Sequence, residues 1–254
     1  MGRLVPAVVR ALDILELFLD GDGTLSTPEI TKQLDLPRTT VHELVTTLAA
    51  RSYLVPVPEQ PGKWQLGLRT YQLGSRYADR ADLATEARAV AREVAARCGE
   101  TVHVGVLDGT EVVYIAKVDS SHAVRMVSAV GRRLPAHCTA VGKMMLASLP
   151  EQELAARYPA GTRLEAMTPH TLTTAEALRS DLAETRDRGT SREFCESNSD
   201  VACVAAPVRD AEGATVAAMS VSVPTLRWSE ERGEELSALV AEGAMELSRR
   251  LGSR

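Results

Sequence analysis

His103, His122, His137 and Cys138 are residue types that ligate transition metals or pair as base and nucleophile. Their arrangement argues against both uses. The four cysteines, Cys98, Cys138, Cys195 and Cys203, form no C-x-x-C pair. Neighbours such as His137 and Cys138 diverge on a strand, and no third group is specified to orient them. The expectation is therefore buried free thiols and packed histidines, with no catalytic centre, no metal and no cofactor. Lys143 reads as a helix-surface or interface cation rather than a Schiff-base amine. A different chemistry is offered by Arg38, Thr39, Thr40, His42 and Glu43, short polar and charged side chains at the start of a helix, where they can touch phosphates and base edges. Lys32, Arg51 and Lys63 are nearby cations for the same purpose.

The elements that must position this second set are readable. Ser26 to Glu29 has the S-x-x-E form of a capping box, with Pro28 tolerated in the first turn. Ile30 and Leu34 share a helix face, Asp35-Leu36-Pro37 breaks the run, and Val41, Leu44, Val45 and Leu48 resume it at helical spacing. Two helices joined by a tight turn, the second with a polar leading edge, are how a chain enters the DNA major groove. Downstream, Tyr53 to Val57 and Trp64 to Leu66 flank Gln60-Pro61-Gly62-Lys63, a hairpin where a wing belongs. Upstream, Val8, Leu12, Leu15 and Phe18 recur at near-helical spacing and predict a third helix closing the small core. A winged helix-turn-helix over residues 1–67 follows, then a linker helix over 68–81.

In residues 82–254, Leu83, Ala87, Val90, Ala91 and Val94 mark a helix. The pattern then changes to strands. Thr101 to Leu107 and Val112 to Lys117 alternate about an Asp108-Gly109 turn, and Ala202 to Val208 and Thr215 to Val223 bracket Arg209 to Gly213. Helices are predicted at Ala140 to Leu149, Thr174 to Arg188 and Ser229 to Leu251. The order predicts an α+β domain with an antiparallel sheet.

The chain of 254 residues is 44% hydrophobic and 25% charged, an ordinary globular composition with formal net charge −5. It has no apolar run of 18 residues and no signal-peptide pattern, so no membrane association is expected and a cytoplasmic location is. Residues 1–67 carry six basic against eight acidic side chains, net −2. DNA affinity grows with the number of phosphates neutralised, so a single copy should bind weakly and depend on a few well-placed cations and on dimerisation.

Val8 to Phe18, Leu25 to Leu48, Trp64-Gln-Leu-Gly-Leu-Arg-Thr-Tyr-Gln-Leu-Gly74, Val130 to Pro150 and Cys203 to Pro224 together resemble the IclR family of bacterial transcriptional regulators. The resemblance spans nearly the whole chain. It implies a winged helix, a linker helix and a GAF-like effector-binding domain, assembled as a homodimer or dimer of dimers on palindromic double-stranded operator DNA. It also implies a small-molecule site lined by Met126, Ala140, Val141, Glu193, Cys203, Ser220 and Ser222. Two positions depart from the family pattern: Glu43, where an arginine is usual, and Asp200-Val-Ala-Cys203, where a glycine usually leads the motif. A carboxylate at 43 repels phosphate but can accept from a cytosine amine.

Residue chemistry bears on the implied site. Amide N–H groups of a helix starting near Thr139 to Gly142 can hold a carboxylate, and Ser220 and Ser222 share one strand face. Glu193 reads either as an exposed carboxylate beside Arg192 or as a pocket wall. In the second case it suits an acid that also brings a donor, such as a phenolic, hydroxy or keto acid. The leading expectation is a one-component repressor released by a small organic acid. A transcriptional activator of the same family and a protein-interaction adaptor are the alternatives, and no nucleophile, base and orienter appear together to suggest an enzyme.

Overall fold

A computed structural model describes residues 4–19, 23–79, 83–124 and 128–253. Met126 lies outside the described residues. The chain forms two compact units, 1–81 and 82–254.

In the first unit, helix α1 (Pro6–Glu16) runs into a short 3-10 turn at Leu17–Leu19, strand β1 spans Thr24–Ser26, and helices α2 (Thr27–Leu34) and α3 (Arg38–Ala50) follow. Strands β2 (Leu54–Pro56) and β3 (Lys63–Leu66) complete a three-stranded antiparallel sheet in the order β1-β3-β2. Helix α4 (Leu68–Asp79) leaves the wing. The capping box forms as read: Ser26 Oγ accepts from the Glu29 amide, and a Glu29 carboxylate oxygen accepts from the Ser26 amide at 2.7 Å. Asp35 takes a left-handed conformation at φ 50°, which reverses the chain between α2 and α3. The core is Ile14, Phe18, Ile30, Val41, Val45, Leu48 and Leu54.

Helix α1 differs from the expected face. Val8 and Leu12 are exposed and Ile14 is buried instead, while Leu15 and Phe18, the latter in the 3-10 turn, reach the core as expected. This helix carries apolar residues on both sides, so spacing alone does not say which side is covered. Leu73 on α4 is exposed as well, while the side chain of Tyr77 lies outside the described residues. Strand β1, too short to show a period, was not visible in the sequence.

The second unit begins with α5 (Leu83–Cys98), followed by the hairpin β4 (Thr101–Asp108) and β5 (Glu111–Val118), with Gly109 at φ 62° in the turn. Next come strand β6 (Arg133–Pro135), a 3-10 turn at Ala136–Cys138, and helices α6 (Ala140–Ala147), α7 (Glu151–Arg157) and α8 (Ala175–Arg188). Strands β7 (Ser191–Phe194), β8 (Val201–Arg209) and β9 (Thr215–Pro224) lead to the terminal α9 (Glu230–Arg250). The sheet is antiparallel in the order β6-β5-β4-β9-β8-β7. Side chains of alternate residues go to two separate cores. Val102, Val104, Val204, Met219, Val221 and Val223 pack on α5 and α9. Tyr114, Cys203, Ala205 and Ala218 pack on the layer of α6, α7 and α8. The edge strands β6 and β7 and the short α7 are additions to the sequence reading.

Helix α6 is buried along its whole length. Thr139 caps it by accepting from the Gly142 amide at 3.1 Å, and a Cβ at Gly142 would collide with the Ala136 backbone. Gly142→Ala should therefore destabilise the second unit by about 3 kcal/mol, since the helix must move off the preceding turn. Ser26→Ala, which removes a cap, should cost the first unit about 1 kcal/mol. Chemical denaturation monitored by far-UV circular dichroism checks both.

Candidate nucleic-acid interface and ligand site

In the first unit, α3 offers an unsatisfied leading edge. Helix α2 has its side-chain cap, whereas Pro37, the residue before α3, gives none, so the first-turn amides of α3 have no side-chain acceptor. Arg38, Thr39, His42 and Glu43 are exposed there and Thr40 is half-buried. Thr27, Arg38, Thr39 and His42 line one groove of about 380 Å³. Lys32 is exposed on α2 and Arg51 just past the end of α3, and Lys63, on β3, donates weakly to Thr24 Oγ1 at 3.5 Å. The structure thus gathers Arg38, Thr39 and His42 at one point, with Glu43 next along the same helix. A positive helix terminus flanked by a guanidinium and hydroxyls is suited to a phosphate anion.

In the second unit, strand register brings the predicted wall residues together on the face toward α6. Glu193 pairs with Cys203 across β7 and β8, and Cys203 with Ser222 across β8 and β9. Ser220 lies two residues along on the same face, opposite His103 on β4. Glu193, Cys203, Ser220 and Ser222 are all buried, as are Ala140 and Val141 at the start of α6. The reading of Glu193 as an exposed partner of Arg192 is excluded: Glu193 is 1% exposed, and Arg192 instead reaches Glu234 on α9 at 2.7 Å.

The Glu193 carboxylate meets the turn after β7 through one oxygen, and the Cys203 thiol also lies against it. Its Oε1 accepts from the Glu196 amide (3.1 Å), the Ser197 amide (2.9 Å) and the Ser197 hydroxyl (2.9 Å), while Oε2 is buried without a geometrically formed hydrogen bond among the described residues. Burial raises its pKa from the ordinary 4.5 to about 7, with the Ser197 donors opposing the shift and the nearby Glu196 carboxylate adding to it. Ser197 belongs to the stretch preceding the unusual Asp200-Val-Ala-Cys203 motif, so the departure from the family pattern lies in the loop that grips this carboxylate. The buried Cys203 thiol donates to Ser222 Oγ at 3.2 Å, and its own pKa is pushed up by burial.

One residue on this face and one behind it were missed. His103 is fully buried, stacks on Tyr114 with ring centroids 4.6 Å apart, and lies 2.6 Å from Ser128 Oγ through Nε2 and 3.4 Å from Ser222 Oγ through Nδ1. Burial lowers its pKa to about 3, so it is a neutral imidazole, donating through one nitrogen and accepting through the other. The alternation of Thr101, His103 and Gly105 with Val102 and Val104 signals a strand covered on both faces and could have placed it. The second, Lys143, corrects the surface-cation reading. It is fully buried on α6 and pairs with Glu196 and Asp181. His137 is also buried and engages the Glu165 carbonyl at 2.9 Å, and all four cysteines are free and buried. Among the described residues, no cluster of His, Cys, Asp or Glu could hold a metal, and no helix is long and apolar enough to cross a membrane.

The chain matches the IclR helix-turn-helix domain over residues 7–58 and the C-terminal domain of bacterial IclR transcriptional regulators over residues 75–249. It is 37% identical over 249 residues to the HTH-type transcriptional regulator XynR of Escherichia coli K12, covering 98% of each chain. It is 32% identical over 246 residues to the transcriptional repressor IclR of the same organism, covering 96% of this chain and 89% of that one. Among solved structures, an IclR homologue from Microbacterium hydrocarbonoxydans complexed with 4-hydroxybenzoate superposes with a TM-score of 0.83 at 26% identity, over 96% of this chain and 98% of that one. The winged first unit, the helix-covered antiparallel sheet of the second and these likenesses agree, and the chain belongs to the IclR family of helix-turn-helix transcriptional regulators, which are not enzymes.

Proposed function

We propose that this chain is a one-component repressor whose grip on operator DNA is released by a small organic acid, aromatic, hydroxy or keto, bound between the sheet and α6. The observation that carries the reading is the buried Glu193 oxygen with no partner, set beside Cys203 and Ser222. A buried polar atom without a partner is costly, and a ligand donor would relieve it. The amides at the start of α6 suit the acid end of such a ligand. The relative that holds 4-hydroxybenzoate supports the class, since that compound has a carboxylate at one end and a hydroxyl donor at the other. The wall is assigned to Met126, Ala140, Val141, Glu193, Cys203, Ser220 and Ser222.

Residues 1–67 are assigned to the winged DNA-binding domain, 68–81 to the linker helix and 82–254 to the effector domain. Arg38, Thr39, Thr40, His42 and Glu43 face the major groove, with Lys32, Arg51 and Lys63 on flanking phosphates. Two copies occupy the two halves of a palindrome about one helical turn apart. Leu4, Val5, Val8 and Leu12 at α1 and Leu68, Tyr71 and Leu73 on α4 are exposed apolar residues that a second copy would cover. The ligand acts by the difference between its affinities for the DNA-competent and released conformations. Relatives named as repressors favour repression over activation, and binding to chromosomal DNA favours the cytoplasm.

Fluorescence anisotropy on the DNA upstream of the gene, across a salt series, tests the reading. Affinity should fall steeply with salt, and Arg38→Ala should weaken it at least tenfold and reduce the salt slope by about one. 4-Hydroxybenzoate, pyruvate or another acid of a matched panel should release the DNA. DNA binding absent at every salt concentration would favour the adaptor.

Glu193 also predicts a pH dependence. With the folded pKa above the unfolded one, the native state favours the protonated form, so the cost of ionising Glu193 is absent below about pH 4.5, grows as pH rises, and is complete above about pH 7. Glu193→Gln should remove that loss, gaining a few kcal/mol over wild type at pH 8 and little at pH 4.5, read from denaturation midpoints. An anionic effector should bind wild type more tightly at pH 6 than at pH 8, and Glu193→Gln should flatten the difference.

A further inference from the structure

Behind the Glu193 wall lies a cluster of buried charge that effector contact alone does not explain. Lys143 projects from α6 with no exposed surface. Its Nζ donates to Glu196 Oε1 at 2.5 Å, to Asp181 Oδ1 on α8 at 3.2 Å and to the Arg192 carbonyl on β7 at 3.1 Å. An ammonium is taken out of water only where such partners replace its hydration. Two of the three come from residues 192–196, the end of β7 and the turn after it.

That turn is fixed from several directions. Cys195 has φ 58°, a left-handed conformation that a non-glycine residue keeps only where its surroundings enforce it. Thr168 Oγ1 donates to the Cys195 carbonyl at 2.5 Å and Thr171 Oγ1 to the Glu196 carbonyl at 2.6 Å. From this turn the Glu196 and Ser197 amides and the Ser197 hydroxyl converge on Glu193 Oε1. Helix α6 contributes Ala140 and Val141 to the opposite wall three and two residues before Lys143, so one side chain ties both walls together.

We propose that Lys143 is a positioning residue of the effector pocket: its ion pair with Glu196 clamps the 195–197 turn so that the turn's donors keep the Glu193 carboxylate dry and correctly oriented. This rests on the reading of Glu193 as a pocket wall. Lys143 itself touches no ligand, and it acts through Glu196.

The test uses the full-length chain labelled with carboxyl-13C glutamate, the Glu193 resonance being assigned by its loss in Glu193→Gln. In wild type that carboxyl should titrate near pH 7. In Lys143→Met the midpoint should move away from that value, because the loosened turn withdraws the Glu196 and Ser197 donors and admits water. Loss of a nearby positive charge also moves the midpoint, so Ser197 amide exchange is what separates the turn from the charge. A midpoint that stays overturns the proposal.

The pair removed as a unit, Lys143→Met with Glu196→Met, takes away the two most buried charges together, leaves only the partly exposed Asp181 without its partner, and guards against misfolding of the single variant. In it, amide exchange at Ser197 should accelerate at least tenfold while the β8 and β9 amides keep their protection. Unchanged Ser197 exchange overturns the clamp, and so does Asp181→Asn accelerating Ser197 exchange as far as the double variant does, since that would make the cluster a general support of α6 and α8. None of these readouts requires an effector, so a failure of every acid to release wild type from DNA would count against the repressor reading alone.

Discussion

Charge removed from water has to be met by opposite charge or by donors within hydrogen-bonding distance, and the layer between α6 and the sheet is organised by that demand. Lys143, Glu196, Asp181 and Glu193 lie in or beside this layer, and their partners come from α6, α8, the end of β7 and the turn that follows it. The Lys143 ammonium finds three acceptors within the protein. Glu193 is satisfied on one oxygen only. Glu196 Oε2 and Asp181 Oδ2 are likewise buried without a partner among the described residues, but they belong to the Lys143 cluster, whereas Glu193 shares its sheet face with Cys203, Ser222 and the neutral imidazole of His103.

Most of the scaffold was legible in the sequence because its signals are local. The capping residue Ser26 announced α2, helices α8 and α9 start where expected behind Thr174 and Ser229, and the Asp108-Gly109 and Asp210 to Gly213 turns set the two long hairpins. The edge strands β6 and β7, three and four residues long, were hidden because a period of two needs more residues to be seen. Val8 and Leu12 misled because α1 is apolar on two sides and only tertiary contacts choose between them. The site was less legible than the scaffold. Ser220 and Ser222 could be paired by alternation, but Glu193 and Cys203 came from family resemblance. Lys143 was misjudged since side-chain polarity says nothing of a partner fifty-three residues away.

In the first unit the problem is different, a chain of net acidic charge that must approach a polyanion. The two helices of the turn are finished differently. The start of α2 is closed by Ser26 and Glu29, whereas the start of α3 has no side-chain cap. The attraction is thereby concentrated at one helix end and at Arg38, with Asp13, Glu16 and Glu29 on other elements and Glu43 the acid that α3 itself presents. Concentrated charge of this kind gives a contact that depends on orientation more than on total charge, which suits recognition of a particular site over loose association.

The complete burial of α6 bears on how this protein can change over time. All eight of its residues are covered, and Gly142 leaves no room even for a methyl group. A helix packed on every side cannot accept substitutions one at a time without loss of stability, so it is a poor source of new ligand preferences. Variation that is tolerated must fall on the loop through Ser197 to Asp200, where several side chains reach solvent. On the proposed reading of this site, lineages derived from this chain would explore new effectors by rewriting the grip on Glu193, with the α6 side held constant.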